Sequence, residues 1–138
     1  MSLSDIYEAF DLIDDWEDRY RYLIDLGRKL EPLSEEEKSE ANRVHGCTSR
    51  VWMVSSVSGA PPAITIRADS DAFIVKGLIA LLLAVYSGKP VSEVAGIDIN
   101  AVMQRLGLEK HLSPMRTNGF YAMVQEIQRR AAAAMAAG

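Results

Sequence analysis

The sequence predicts an α+β protein: a small antiparallel three-stranded sheet packed against helices, with helices at the N-terminus and a long helix at the C-terminus. Three observations carry this. Apolar residues recur at helical spacing near the start of the chain. Two short segments alternate with period two around Ser58-Gly59-Ala60-Pro61-Pro62. An unbroken apolar run, Leu78 to Tyr86, is too short to cross a membrane, which takes about 20 residues, and reads as a buried helix.

The elements follow in order. Ile6, Phe10 and Ile13 lie on one face of a short first helix that Ser2 or Ser4 can cap. Asp14 and Glu17 have capping-box spacing. The second helix is expected over 15–29, with Trp16, Tyr20, Leu23, Ile24 and Gly27 inward and the two aromatics in the core. Glu31-Pro32-Leu33 ends it. The charged stretch from Ser34 to Glu40 reads as a solvated loop or a helical turn; its Glu35-Glu36-Glu37 run is a wet face or a dock for a basic partner.

Val51, Met53, Ser55 and Val57 then alternate with Trp52, Val54, Ser56 and Ser58, and Ile64 and Ile66 with Thr65 and Arg67. The loop between them makes a hairpin, and Val44 is expected to add the third, short edge strand. Residue 47 and the end of the second strand, near Ala68, then fall at the same end of the hairpin. Ser70 is expected to cap a long central helix with Asp71 in its first turn, where a carboxylate complements the macrodipole. Gly77 within that helix marks close packing against the sheet. Pro90 opens a short helix, and Asp98 or Asn100 starts another that ends at Gly107. Ser113-Pro114 begins the last helix, which runs through Met123, Val124 and Ile127 to an alanine-rich end, 131–137, expected to fray.

Bulk composition narrows the function. The chain has 138 residues, 49% of them hydrophobic, which fits one globular domain over 1–138. A formal charge of −4 lacks the basic footprint of a nucleic-acid binder. A single cysteine and two histidines rule out an internal disulfide and a Cys₂ or Cys₄ metal site from one chain. The N-terminus lacks a signal-peptide pattern, so the expected location is the cytoplasm, where a free thiol stays reduced.

Candidate chemistry centres on Asn42-Arg43-Val44-His45-Gly46-Cys47-Thr48-Ser49-Arg50-Val51-Trp52. Gly46 permits a tight turn. Cys47 is expected to be presented rather than buried, with Arg43, His45 and Arg50 favouring its thiolate. The alternative is that Cys47, like most lone cysteines, is a small core hydrophobe. Arg116 falls in the first turn of the last helix, where a cation opposes the dipole. It either serves a nearby anion or points at solvent. His111 reads as a structural hydrogen-bonding residue.

The pattern Asn42-x-Val44-x-Gly46-Cys47-x-Ser49-x-Val51-Trp52 resembles the signature of the SufE family, sulfur-acceptor proteins of iron–sulfur cluster assembly. Two further blocks resemble that family in the same order: Ala68-Asp69-Ser70-Asp71-Ala72-Phe73 through Ala80, and His111-Leu112-Ser113-Pro114-Met115-Arg116-Thr117-Asn118-Gly119 followed by Ala122-Met123. Together they run from Asn42 to Met123.

The resemblance implies a SufE/IscU-like fold. It also implies an accessory sulfurtransferase, not an independent enzyme. Cys47 would take persulfide sulfur from a cysteine desulfurase of SufS-like or CsdA-like type and stimulate that enzyme. The sulfur would then pass to a SufBCD-type scaffold. No cofactor is expected on this chain, because the pyridoxal phosphate belongs to the desulfurase; neither nucleic acid nor membrane is an expected partner. The resemblance places Arg116 near the cysteine, and Asp71 beside its loop, holding it at rest. His45 stands where the family often has glutamine. Val51, Met53 and Leu112 are candidates to shield the sulfur. Ser49 and Gly46 complete the loop motif.

Three readings compete. An IscU-type scaffold needs about three cysteines to hold iron. A cysteine hydrolase or peroxidase would pair Cys47 with His45 or His111. An interaction domain would leave the cysteine inert. The motifs do not separate a SufE from a CsdE branch, and they leave the oligomeric state, a homodimer included, open.

Overall fold

A computed structural model describes residues 2–137. Its order is α1 (Leu3–Leu12), α2 (Trp16–Arg28), β1 (Val51–Ser58), β2 (Ala63–Ser70), α3 (Phe73–Tyr86), α4 (Val91–Val94), α5 (Ile99–Leu106) and α6 (Pro114–Ala137), with 3₁₀ turns at Glu40–Asn42 and Leu108–Lys110. Helices therefore cover a small antiparallel sheet, as the sequence pattern requires.

The sheet has two strands, not three. They pair from Val51↔Ser70 to Ser58↔Ala63. Val44 contributes one hydrogen bond, its N–H to the Val51 carbonyl at 2.9 Å, and Arg43 forms an isolated bridge with Trp52. The physical reason lies on either side. The 3₁₀ turn closes immediately before, with Arg43 N–H donating to the Glu40 carbonyl, and Gly46 turns the chain away immediately after. Too few extended residues remain between them to make a strand.

Helix α3 is the centre. Val75, Leu78, Ile79, Leu81, Leu82, Val85 and Tyr86 are all buried on it, which is what an apolar run without a polar face demands. Its tightest neighbour is α2, not the sheet. A Cβ on Gly77 would lie 2.5 Å from the Leu23 carbonyl oxygen, and one on Gly27 would lie 2.6 Å from the Gly77 nitrogen. The two glycines let the helix backbones touch.

The caps differ in part from expectation. Ser2 closes a capping box with Asp5 on α1, whereas Asp15 precedes α2 without a side-chain bond, so the Asp14–Glu17 box does not form. Helix α3 starts after Ala72, because Ser70 and Asp71 are engaged elsewhere. Asp98 caps α5 through the Ala101 N–H, and Gly107 ends it. The Ser113 hydroxyl accepts from Arg116 N–H at 3.3 Å at the start of α6. The alanine tail is helical to Ala137, and Ala131 is buried. Arg130 ties that helix to β1, donating to the Met53 carbonyl at 3.1 Å and to Ser55 Oγ at 3.0 Å. Near the α6 start, the His111 ring stacks on Trp16 at 3.8 Å between centroids, and Tyr20 OH donates to the His111 carbonyl.

Candidate functional site

The cysteine loop is closed at both ends before it reaches Cys47. At one end is the Val44–Val51 bond described above. At the other, Arg50 is held by the segment leaving β2. Its N–H donates to Asp71 Oδ1 at 3.1 Å and its Nε–H to Asp71 Oδ2 at 3.2 Å. The Ser70 hydroxyl donates to the Arg50 carbonyl at 2.7 Å and accepts from Ala72 N–H at 3.2 Å. Asp71 thus pins the loop's root rather than complementing a helix dipole. Between the two roots, Gly46 has a φ of +95°, a region that glycine enters without strain. A Cβ there would meet Ala122 Cβ at 3.1 Å, so the loop lies directly on α6.

Cys47 is half-buried at rest. Its Sγ–H donates to the Gly119 carbonyl at 3.5 Å. The cavity beside it, of about 140 Å³, is lined by the apolar side chains of Val75, Leu78, Phe120 and Met123 and by the polar Ser113 and Arg116. Thr48 and Ser49 belong to the same lining, and exposed Met115 stands in it too. The expected shield of Val51, Met53 and Leu112 is therefore replaced by side chains of α3 and α6. Met53 lies in the core, and Leu112 lines a neighbouring groove with Tyr20, Ile24 and Ile74, which shares Ser113 and Arg116 with the cysteine cavity.

The electrostatics also depart from expectation. Burial pushes the Cys47 thiol above its usual value, and the Arg43 charge pulls only partly the other way. Three cations adjacent in sequence do not make three cations around a thiol. Arg50 is taken by Asp71. His45 is exposed, with Nε2 3.3 Å from Glu40 Oε1, and lines a separate groove with Arg43, Ala122 and Arg129. Arg116 does share the cysteine's cavity, and its guanidinium makes no hydrogen bond or ion pair with the described residues.

The fold thus gathers Cys47, Ser49 and Arg116 around one cavity. It sets Gly46 beneath the loop and Asp71 at its root, and turns His45 aside. Among the described residues, no group of three or more His, Cys, Asp or Glu side chains converges to hold a metal ion.

Two residues of this region have no part in the sequence reading of the site. Gly119 supplies both the carbonyl that receives the thiol and the open space against it; a glycine inside a helix that needs a packing reason was its signal. Asp69 is the buried acid of the neighbourhood, with Oδ1 3.4 Å from Lys76 Nζ and Oδ2 3.6 Å from Lys38 Nζ. Strict alternation along β2 puts Asp69 outside. The 33–38 segment covers that face, with Leu33 N–H donating to Asp69 at 3.4 Å.

Comparison with known proteins bears on this arrangement. A family model described as "SufE: Fe-S metabolism associated domain" matches residues 4–131. An uncharacterized SufE-like protein of Rhizobium etli is 48% identical over 132 residues, covering 94% of this chain and 89% of that protein. A second uncharacterized SufE-like protein, of Rhizobium meliloti, is 42% identical over 132 residues, covering 94% of each. The solution structure of a hypothetical protein from Thermus thermophilus matches with a TM-score of 0.76 over 99% of both chains, at 23% identity; that likeness concerns the fold alone.

Proposed function

We propose, for a chain that belongs to the SufE family, that Cys47 accepts one sulfur atom from the persulfide of a cysteine desulfurase and carries it to an iron–sulfur scaffold. Family membership supports a sulfur-transfer role in iron–sulfur metabolism. The observation that carries the finer reading is the sole cysteine lodged against a small, mostly apolar cavity whose lining includes Arg116.

The chemistry is that of thiol–disulfide exchange. The Cys47 thiolate attacks the terminal sulfur of the donor persulfide. A bond forms between Cys47 Sγ and that sulfur, the donor's sulfur–sulfur bond breaks, and the desulfurase cysteine leaves as a thiolate. Oxidation state is conserved overall, so no external oxidant or reductant is needed. A single cysteine suits a carrier, because a second thiol nearby would resolve the persulfide to a disulfide and release sulfide.

The resting geometry suits storage rather than attack. The thiol is protonated by burial and engaged with the Gly119 carbonyl. Transfer requires residues 45–49 to swing away from α6 about Gly46, while Asp71 and Ser70 keep Arg50 in place. On return, the cavity walls exclude water and competing thiols, and the Arg116 guanidinium meets the anionic sulfur. Radioactive sulfur supplied as labelled cysteine to a desulfurase is expected to appear on this chain. Cys47→Ser should take up none while keeping its helical signal, and Arg116→Gln should load several-fold more slowly. Equal labelling of the Cys47→Ser variant refutes the proposal.

A further inference from the structure

A second groove opens between the cysteine loop and α6, and it shares no lining residue with the cysteine cavity. Arg43, Val44 and His45 come to it from the loop, and Gln125, Glu126 and Arg129 from α6. Its volume is about 290 Å³, below the usual range for small-molecule pockets and enough for an acidic side chain. The groove is rich in donors and short of acceptors. Glu126 is shared, since Arg129 and Arg130 both donate to its Oε2. Glu40, which does not line the groove, is shared as well: it lies 3.3 Å from His45 Nε2 and 3.9 Å from Arg43 Nη1. Two carboxylates thus face three arginines and a histidine. Arg43 is the least answered of them. Its guanidinium makes no hydrogen bond with the described residues, and its buried Nε–H meets no acceptor, which is rare for a buried donor. The whole chain carries a formal charge of −4, so this local excess of cations runs against the molecule's own balance.

We propose that this groove is a docking site for an acidic segment of a partner protein, with one carboxylate paired to Arg43 and a neighbouring one to Arg129. A guanidinium fork matches a carboxylate through two parallel hydrogen bonds, and Arg43 has the most unused donor capacity in the groove. Its side chain is 26% exposed, so a pair formed there is screened by salt less than one on open surface. Arg129, 67% exposed, offers the outer contact. A nucleic-acid backbone fits less well: the net charge of the chain is negative and Glu126 sits in the groove itself. Complementary charge of this kind sets the approach and register of a partner more than its final affinity. Residues 43–45 precede Cys47 on one loop, so a protein seated in the groove lies against the loop that carries the thiol. Identifying that protein as one that exchanges sulfur with Cys47 rests on the function proposed above; the groove's preference for carboxylates does not.

The test is a titration of the isotopically labelled full-length chain with a hexaglutamate peptide at low ionic strength, followed by NMR. The amide signals of Val44, Ala122 and Gln125 and the Nε signals of Arg43 and Arg129 should move along one saturable curve, and binding should weaken as salt rises. Arg43→Gln should weaken it about fivefold or more, as a charge-assisted, partly buried contact requires. Arg129→Gln, on the exposed face of α6, should weaken it about twofold and keeps the comparison if Arg43→Gln disturbs the loop. Inorganic phosphate and a short single-stranded oligodeoxynucleotide are titrated in parallel. Shifts that fall outside the groove overturn the proposal, as does an Arg43→Gln or Arg129→Gln curve that superimposes on wild type. Phosphate filling the groove as readily as the peptide makes it a site for an adventitious ion only, and tighter binding of the oligonucleotide makes it a nucleic-acid site; either result also overturns the proposal. Cys47→Ser should bind the peptide as wild type does. With no desulfurase or sulfur donor present, the outcome is independent of whether sulfur loading occurs.

Discussion

At the scale of single residues, the cysteine loop is restrained at its root. Asp71 illustrates it. The carboxylate holds Arg50 by backbone and guanidinium, but the pair is exposed and adds little to global stability, on the order of 1 kcal/mol or less. Asp71→Ala should therefore barely change the melting temperature, yet alkylation of Cys47 at neutral pH should accelerate several-fold as the loop loosens. An unchanged alkylation rate would place the restraint elsewhere. The thiol itself adds a pH signature. Its folded pKa is raised by burial, so the folded state holds the proton longer than the unfolded chain. The seated thiol contributes stability at low and neutral pH, and loses it as pH rises from the ordinary thiol range through the raised value. Cys47→Ala should abolish that alkaline slope in a denaturant titration.

At the scale of elements, the α2–α3 crossing is the most demanding contact in the fold. Gly77→Ala would put a methyl 2.5 Å from a backbone oxygen, and no side chain can turn aside to admit it. Helix separation should cost about 1–3 kcal/mol, against the small gain that alanine brings to a helix interior. Chemical denaturation reads the difference; an Ala variant as stable as wild type would contradict the crossing. This crossing also shows what the sequence conceals. The apolar run of α3 announces burial, and Gly77 announces a close approach, but neither names the partner. The sheet was the plausible surface, and α2 is the actual one, because Gly27 supplies a matching gap. Period-two alternation gave both strands and their hairpin. It could not settle whether Val44 extends into a third, since that depends on how soon the turns on either side intervene. Ser70 and Asp71 look like helix-start residues on local chemistry, and tertiary contact with Arg50 diverts them.

At the scale of the whole molecule, the three motif blocks are distant in sequence and meet at one cavity: the loop before β1, the first turns of α3 and the start of α6. Their convergence was legible as a family resemblance. The burial of the cysteine was not, because whether a thiol is presented or covered depends on Val75, Leu78 and Met123, which arrive from other elements. Ion pairs, some between distant segments, also bear on stability at acid pH. The Asp11 carboxyl is lowered by its hydrogen bond from Arg105. Glu37 is lowered first by the Ser34 N–H and then by Arg67. Glu126 is lowered despite burial, by Arg129 and Arg130. Carboxyls held below their unfolded values stabilise the fold above the ordinary carboxylate range, and that support is lost as pH falls through the folded values. Melting temperature should hold near neutrality and fall as pH drops below that range; high salt should weaken the exposed pairs.

The most direct measurement of the central claim is the intact mass of this chain after incubation with a cysteine desulfurase and cysteine. A gain of one sulfur atom is predicted, localised to Cys47 by peptide mapping and removed by a thiol reductant. No gain on the wild-type chain, or a gain that persists in Cys47→Ser, would contradict it.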